Sequence, residues 1–289
     1  MSAEIIDGKA IAKIKKAEIA QEVLSLKHNG VTVTLAVILV GDDPASHVYV
    51  RNKIKACAET GIESCETRLP ENASFDKIAK TISALNLDDT VDGILLQLPL
   101  PAHLKAVQED LVQMIAPAKD VDGLTATNAG KLFLGMTGGH VPCTPQGSLA
   151  LIKAVKDNLQ GLDAVVIGRS NLFGKPMAQL LLNENCTVTT AHSRSADLPA
   201  LCRQADIVVA AVGRPKMVKA DWIKEGAIVI DVGINRQDDG KLCGDVDFES
   251  VKDKAAALTP VPGGVGPMTI TYLLANTLYA AKAKVSNHN

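Results

Sequence analysis

Apolar runs rich in β-branched residues alternate along this chain with amphipathic segments of helical period. The apolar runs predict strands at residues 34–40, 93–98, 164–167, 187–191, 207–212 and 227–232. The amphipathic segments predict helices at residues 11–26, 75–85, 147–155 and 176–183. Strands that alternate with helices form parallel sheets with helices packed on their faces. The pattern therefore predicts an α/β protein.

The length of 289 residues is large for a single hydrophobic core, so two domains are expected. Residues 130–145 are rich in glycine and carry few charges, which is typical of a loop between domains and predicts a boundary near residue 140. A hydrophobic content of 47% with 21% charged residues indicates a globular chain.

The net charge of −2 provides no electrostatic footprint for nucleic acid or for an anionic membrane, so neither partner is expected. The first twenty residues contain acids and lack an apolar core, and no apolar stretch is long enough to span a bilayer. We therefore expect a cytoplasmic protein. The six cysteines form no Cys-x-x-Cys pair and the histidines no ligand pattern, so no metal is expected.

A helix is predicted to begin near Pro44, because Asp43 can cap it and proline suits the first helical position. At about 100° per residue, Ser46, Tyr49 and Lys53 lie on one face of this helix. A solvated flank and a proton-handling pair both fit this pattern taken alone.

The strand at 164–167 leads into a glycine turn and then a helix near Pro176. Backbone amides and a helix dipole at such a turn commonly bind a dinucleotide pyrophosphate, here with Gly168, Arg169 and Ser170. Ser170 stands where the usual fingerprint has a second glycine, so this turn also fits plain topology. The residues after the next strand help to decide whether this turn binds a nucleotide.

NAD enzymes place an acid about 20 residues beyond the glycine turn, whereas the strand at 187–191 runs into His-Ser-Arg-Ser. Ser193, Arg194 and Arg169 could bind a 2′-phosphate that a carboxylate would repel, which favours NADP. Gly233 and Ile234 follow the strand at 227–232, where backbone could meet the nicotinamide. A simple turn at Gly233 fits equally well.

Three further segments carry polar or conformationally special residues. Gln97 lies in an apolar run near the carboxyl edge of the sheet, where a satisfied interior amide is the plainer interpretation. Asp120 lies in a turn-like loop, where it could act only as a cap. The loop around residues 260–269 combines glycines and prolines, and both a ligand-lining loop and a rigid hinge fit it.

Taken together, these segments occur in a characteristic order. They are Tyr49-x-x-x-Lys53, Gln97-Leu-Pro-Leu-Pro101, Lys119-Asp-Val-Asp-Gly123, Gly168-Arg-Ser170 with Gly174-x-Pro176, and Pro262-Gly-Gly-Val-Gly-Pro-Met-Thr269. Over nearly the whole chain the combination resembles the bifunctional methylenetetrahydrofolate dehydrogenase/cyclohydrolase family.

The resemblance implies two α/β domains with parallel sheets and a folate cleft between them. Residues 1–139 and 267–289 would form a discontinuous catalytic folate-binding domain, to which the terminal helix returns. Residues 140–266 would form a Rossmann-type NADP-binding domain. A homodimer is also implied.

The implied activity is NADP-dependent oxidation of 5,10-methylenetetrahydrofolate to the methenyl form, followed by hydrolysis to 10-formyltetrahydrofolate. This chemistry belongs to one-carbon metabolism and supplies purine biosynthesis. Lys53 would move protons during hydrolysis, Tyr49 would orient it and Gln97 would hold its amine. Asp120 would bind the pterin, with Ser46 as a minor contributor.

The remaining residues implied for the two ligands fall into two sets. The substrate loop would use Pro262, Gly263, Gly264 and Thr269. The cofactor would be held by Gly168, Arg169, Ser170, Ser193, Arg194, Gly233 and Ile234.

Two other functions stay open at this stage. An NADP-dependent amino-acid or shikimate-type dehydrogenase also couples two such domains, but gives no reason for the Gln97-Leu-Pro-Leu-Pro101 segment. A non-catalytic NADP-sensing module would have no use for Tyr49, Lys53, Gln97 and Asp120.

Overall fold

The computed structural model describes residues 2–286, apart from the side chain of Ala45. Residue 1 and residues 287–289, which the sequence assigns to the predicted folate-binding domain, lie outside the described residues. The chain divides into two compact units. The first contains the N-terminal segment to Lys13 and Thr144–Thr269, and the second contains Ile14–Cys143 and the chain from Ile270 onward.

The described residues form short strands and longer helices in alternation. The strands are β1 Glu4–Ile5, β2 Thr34–Val40, β3 Glu63–Leu69, β4 Gly93–Leu96, β5 Asp163–Ile167, β6 Thr187–Ala191, β7 Ile207–Ala210, β8 Ile228–Asp231, β9 Asn235–Arg236, β10 Leu242–Cys243 and β11 Ala257–Leu258. The helices are α1 Gly8–His28, α2 Pro44–Thr60, α3 Phe75–Leu87, α4 Gln108–Gln113, α5 Ala126–Phe133, α6 Cys143–Val155, α7 Gly174–Asn183, α8 Leu198–Gln204, α9 Phe248–Val251 and α10 Val265–Ser286. Short 3₁₀ turns occupy Ala102–Val107 and Ala220–Trp222. The predicted α/β class is confirmed.

The second unit is built on a parallel sheet of order β3-β2-β4. Successive side chains of a strand point to opposite faces. Leu35, Val37 and Leu39 accordingly pack with α2 and α10, whereas Ala36 and Ile38 pack in a separate cluster with α3 and α4. Because both faces of β2 are covered, its carboxyl end is the edge where this sheet can present functional groups.

The first unit contains a parallel sheet of order β1-β11-β8-β7-β5-β6. The strands β5, β7 and β8 have almost wholly buried side chains, as expected of a sheet covered on both faces. The loops that follow β5, β6 and β7 therefore leave the sheet at one edge. A nucleotide site in a parallel sheet lies at such an edge.

The predicted domain limits and the observed division differ most at the N-terminus. The sequence assigns residues 1–13 to the folate-binding domain, but β1 pairs in parallel with β11 of the other unit's sheet. Ile6 N–H donates to the Leu258 carbonyl at 3.0 Å. A strand of two residues carries no readable hydrophobic period, so this pairing lies beyond sequence analysis. The other divisions fall after Cys143 and Thr269.

The segment 130–145 is less irregular than its glycine content predicts. Helix α5 occupies its beginning, because the Thr125 hydroxyl caps the helix by accepting from Asn128 N–H. Helix α6 begins at Cys143, before the predicted start at residue 147. The predicted loop-rich stretch is thus shorter than expected, since only residues 134–142 between the two helices are irregular.

Helix α2 begins at Pro44, where the sequence places it. The Asp43 carboxylate accepts from Ser46 N–H at 2.8 Å, and Gly61 ends the helix with a left-handed φ of 77°. Among the described residues, no helix has the length and apolar character needed to cross a membrane.

Asn276 on α10 ties this helix to two loops of the second unit. Its amide Nδ2 donates to the carbonyls of Val121 and Val141 at 2.8 and 2.9 Å, and the residue is buried. We predict that Asn276→Ala lowers the free energy of unfolding by about 2–3 kcal/mol, because both carbonyls lose their amide donor and Val121 keeps only the weak thiol donor of Cys143. Urea unfolding measures the change.

Asn52→Ala on the exposed face of α2 is the matched control and should change stability by less than about 0.5 kcal/mol. Equal stability of the two variants would show that Asn276 does not hold these loops.

Candidate functional site

The carboxyl edge of the β3-β2-β4 sheet brings Lys53 and Gln97 into direct contact. Lys53 lies on α2 and Gln97 follows β4 by one residue. Lys53 Nζ donates to Gln97 Oε1 at 2.9 Å. Gln97 Nε2 donates to the Leu98 carbonyl at 2.6 Å, which fixes the amide with its oxygen toward the amine.

A carboxyl group and a thiol complete the surroundings of this amine. Burial lowers the pKa of Lys53, while the charge of Asp122 acts in the opposite direction. Burial also raises the pKa of Asp122, and the nearby Lys53 opposes that rise. The thiol of Cys143 contacts the Asp122 carboxyl and donates to the Val121 carbonyl at 3.3 Å. Lys53 thus lies in a poorly solvated position, where the charge of Asp122 opposes the effect of burial on its pKa.

The Asp120 carboxylate accepts hydrogen bonds from its own loop and from Asn128. One carboxylate oxygen accepts from Leu124 N–H at 3.1 Å, and the other accepts from Thr125 N–H and the Asn128 amide at 2.8 and 2.9 Å. The side chain is buried, so these bonds organise the loop rather than face a ligand. Asp122, two residues later, is the acid beside Lys53.

The sequence provides no signal that separates the two acids. Both lie in the segment Lys119-Asp-Val-Asp-Gly123, and both have the residue type that a cation or a pterin would need. Only the path of the loop directs Asp120 to backbone donors and Asp122 to the amine. These positions favour Asp122 over Asp120 for the ligand-binding role, which stays a prediction.

The other two residues predicted for this face of α2 differ in exposure. Tyr49 is 44% exposed and precedes Lys53 by one helical turn, so its ring is accessible to a ligand. Ser46 is buried, and its backbone N–H serves the helix cap. Of these two side chains, that of Tyr49 is therefore better placed to contact a ligand.

The glycine turn after β5 is held by close backbone packing. A Cβ on Gly174 would lie 2.2 Å from the Gly168 carbonyl oxygen, so α7 can begin against the turn only without a side chain there. Ser170 Oγ accepts from the N–H groups of Phe173 and Gly174 at 3.2 and 3.5 Å. Ser170 therefore shapes the turn in place of the missing second glycine.

A cavity of about 310 Å³ lies at the carboxyl ends of β5, β6 and β7. Its lining consists of Ile167, Gly168, Arg169, Ser170, His192, Ser193, Leu198, Ala211, Val212, Arg214 and Met217. Four of these are residues predicted for the cofactor, whereas Arg194 lies outside the lining. Arg194 N–H instead donates to His192 Nδ1 at 3.1 Å.

Arg214 is the cavity residue that sequence analysis missed. It follows the predicted strand 207–212 by two residues, at the same sheet edge as Arg169. Its position directly after a predicted strand was the sequence signal that could have identified it. No carboxylate lines the cavity, so its charged groups are both guanidinium ions.

The residues predicted to meet the nicotinamide lie in a loop organised by acids. Asp231 accepts from Gly233 N–H at 3.0 Å, and burial raises the pKa of Asp231 to about 7. A Cβ on Gly233 would come within 2.4 Å of the Asp245 carboxyl carbon. Ile234 is exposed. Close packing accounts for this glycine, and its contact with a cofactor stays a prediction.

The glycine-rich loop 260–269 is tightly packed within its own unit. A Cβ on Gly264 would lie 2.7 Å from the Pro260 carbonyl oxygen, and a Cβ on Gly8 would lie 1.9 Å from the Gly264 oxygen. Thr269 Oγ1 donates to Thr144 Oγ1 at 3.1 Å. Close backbone approach therefore explains Gly264. The substrate contacts predicted for Pro262, Gly263, Gly264 and Thr269 stay predictions.

Comparison with known proteins identifies the family. Two family models match in succession: the catalytic domain of tetrahydrofolate dehydrogenase/cyclohydrolase over residues 6–122, and the NAD(P)-binding domain of the same family over residues 142–285. The bifunctional protein FolD of Rhodospirillum rubrum is 56% identical, with 98% of this chain and 99% of that protein covered. The chain belongs to the tetrahydrofolate dehydrogenase/cyclohydrolase family.

Solved structures of the tetrahydrofolate dehydrogenase/cyclohydrolase family share the fold. The FolD enzyme of Campylobacter jejuni superposes with a TM-score of 0.95 at 48% identity, covering 98% of this chain and 100% of that one. The Trypanosoma brucei enzyme, solved with NADP cofactor and an inhibitor, gives a TM-score of 0.92 at 38% identity, with 99% of each chain covered. The predicted family is confirmed, and the domain matched over residues 142–285 is an NAD(P)-binding domain.

The glycine turn of this family member offers a test of the cavity. We predict that Gly174→Ala weakens NADP binding at least about tenfold, because its Cβ would lie 2.2 Å from the Gly168 carbonyl oxygen and force the turn to shift. Isothermal titration calorimetry measures the dissociation constant. Gly130→Ala, on a helix with open space at its Cβ, should leave it unchanged. NADP affinities that are equal in both variants would contradict the packing account.

Proposed function

We propose that this chain oxidises 5,10-methylenetetrahydrofolate with NADP and then hydrolyses the methenyl product to 10-formyltetrahydrofolate. The observation that carries this proposal is the position of the half-buried Lys53 amine, which is hydrogen-bonded to Gln97 and lies beside Asp122. The chain that carries this amine belongs to the bifunctional family. The FolD names of the relatives and the NADP of the trypanosome structure support both halves of the activity.

The cavity after β5, β6 and β7 fits an NADP nucleotide. Gly168, Arg169, Ser170 and Ser193 would hold it, and two guanidinium groups without a carboxylate suit a 2′-phosphate. When bound, NADP supplies the hydride acceptor for the oxidation. As the family resemblance implies, Arg194 would contribute at the periphery of this site. Gly233 and Ile234 would contact the nicotinamide.

Lys53 handles protons in the hydrolytic step. Because burial favours its neutral form, the amine can donate one hydrogen to Gln97 and keep its lone pair for a proton. As water attacks the amidinium carbon, a C–O bond forms and Lys53 takes the released proton. As the C–N bond to the ring nitrogen breaks, Lys53 returns the proton to that nitrogen, while the hydroxyl oxygen forms the formyl C=O bond and releases its own proton to water.

Asp122 stabilises the ammonium form that Lys53 adopts between these two transfers. Its carboxyl is the opposite charge that favours protonated Lys53. We assign to Asp122 the substrate-binding role first expected of Asp120. Tyr49 would contact the ligand and orient Lys53, with Ser46 as a minor contributor, and the loop from Pro262 to Thr269 would line the substrate.

We further propose that the protein works as a homodimer in the cytoplasm. The support is the resemblance to the bifunctional family, and sedimentation equilibrium of the purified protein tests the oligomeric state. A mass equal to one chain at enzyme concentrations used for assay would exclude the dimer.

Replacing the lysine tests the division of labour. We predict that Lys53→Met lowers the rate of methenyl hydrolysis by about 10²–10⁴-fold while NADP-dependent oxidation stays measurable, because only hydrolysis needs a proton carrier. NADPH formation and decay of the methenyl absorbance give the two rates separately.

Lys55→Met is the control, since Lys55 is exposed on the same helix, and both rates should match the original protein. Parallel loss of both activities in Lys53→Met, with folate binding intact, would exclude the proposed role.

The two acids of the loop allow a second test. Asp122→Asn should slow hydrolysis by at least about tenfold with little change in stability, because Asp122 acts on Lys53. Asp120→Asn should lower the free energy of unfolding by about 2–3 kcal/mol, because backbone donors lose an acceptor. Stopped-flow measurement of methenyl hydrolysis and urea unfolding, both applied to each variant, distinguish the roles of the two acids. The reverse assignment of the two effects would restore Asp120 as the ligand-binding acid.

A further inference from the structure

The loop after β7 is held by one buried carboxylate. Asp245 Oδ2 accepts from the N–H groups of Val212 and Gly213 at 2.7 and 3.0 Å, and Oδ1 accepts from Arg214 N–H at 2.7 Å. Asn235 Nδ2 also donates to Oδ1 at 2.9 Å. Asp245 is fully buried, so this loop is anchored by three consecutive amides.

These consecutive amides form a concave arrangement of the kind that binds anions. Gly213 adopts a left-handed φ of 65°, which lets neighbouring N–H groups converge. In this protein the concavity is filled by the chain's own carboxylate. The backbone donors of this loop are therefore already used, so the loop itself can offer an anionic ligand in the adjoining cavity only its side chains.

Asp245 is itself fixed in position by its neighbours. Its N–H donates to Asp231 Oδ1 at 2.9 Å, and Val246 N–H donates to Asp231 Oδ2 at 2.9 Å. A Cβ on Gly244 would lie 1.7 Å from Asp231 Oδ2, so the segment requires glycine at that position. The base of the loop is thus rigid, while the Arg214 residue it carries remains exposed.

Arg214 and Arg169 line the same cavity from different strand ends. Arg169 follows β5 and Arg214 follows β7, and Ser193 after β6 lies in the same lining. With no acid in that lining, both guanidinium groups lack an opposing charge on the cavity wall. A dianionic group matches two cations and a hydroxyl better than an uncharged ribose hydroxyl does.

We infer that Arg214 supplies a second guanidinium group to the 2′-phosphate of NADP and thereby contributes to the choice of NADP over NAD. This inference rests on the proposed use of NADP and deepens it. The fixed loop base limits the conformational entropy lost when the side chain binds the phosphate. Arg169 and Arg214 would approach the phosphate from either side of the cavity.

The test compares two nucleotide fragments that differ by the 2′-phosphate, namely 2′,5′-ADP and 5′-AMP. We expect Arg214→Gln to weaken 2′,5′-ADP binding by about tenfold or more and to change 5′-AMP binding by less than about twofold. Arg214→Lys should fall between, because an ammonium group lacks the planar fork. Calorimetric titration measures each dissociation constant.

Lys216→Gln removes the same charge from an exposed residue outside the cavity lining and is the matched control. It should bind both fragments as the original protein does. Three results would overturn the inference. They are equal weakening of the binding of both fragments by Arg214→Gln, weakening of 2′,5′-ADP binding by Lys216→Gln that equals that by Arg214→Gln, and unchanged dissociation constants in Arg214→Gln. If the original protein binds 2′,5′-ADP no more tightly than 5′-AMP, the proposed preference for NADP fails as well. A failure of the Arg214 inference alone would leave that preference intact, so the two failures are distinguishable.

Discussion

The hydrogen bond between Lys53 and Gln97 is the interaction on which the chemistry of this site depends. A neutral amide oxygen can accept from either protonation state of an amine, whereas a carboxylate in the same place would bind the protonated state strongly. Gln97 therefore positions Lys53 without fixing its charge. Burial then favours the neutral form, and Asp122 limits that preference, so the proton can be taken up and released.

Both units use the same property of parallel sheets to build their sites. Strands that run in one direction end at one edge, so residues distant in sequence meet there. In the second unit this edge joins Gln97 after β4 to Lys53 on the helix after β2. In the first unit it collects the turns after β5, β6 and β7 around one cavity. Covered sheet faces leave each edge as the natural place for function.

Much of this arrangement follows from sequence patterns, and the exceptions have physical causes. The hydrophobic period places β2 and β6 at their observed limits, and proline with a capping acid places the start of α2. Strand β3 is missed because its charged residues suit an edge strand and weaken the apolar signal. The Asp120–Asp122 distinction and the Asp245 anchor depend on loop paths, which carry no periodicity. Arg214 is missed although its position two residues after the predicted strand 207–212 places it at the same sheet edge.

The central claim is that the Lys53 amine loses its proton more readily than a surface lysine does. NMR titration of isotope-labelled lysine side chains tests it directly, with Lys53 assigned from the spectrum of the Lys53→Met variant. The account predicts that the pKa of Lys53 lies below the ordinary value of a lysine side chain, because burial disfavours its charged form. A Lys53 pKa at or above that ordinary value would contradict it.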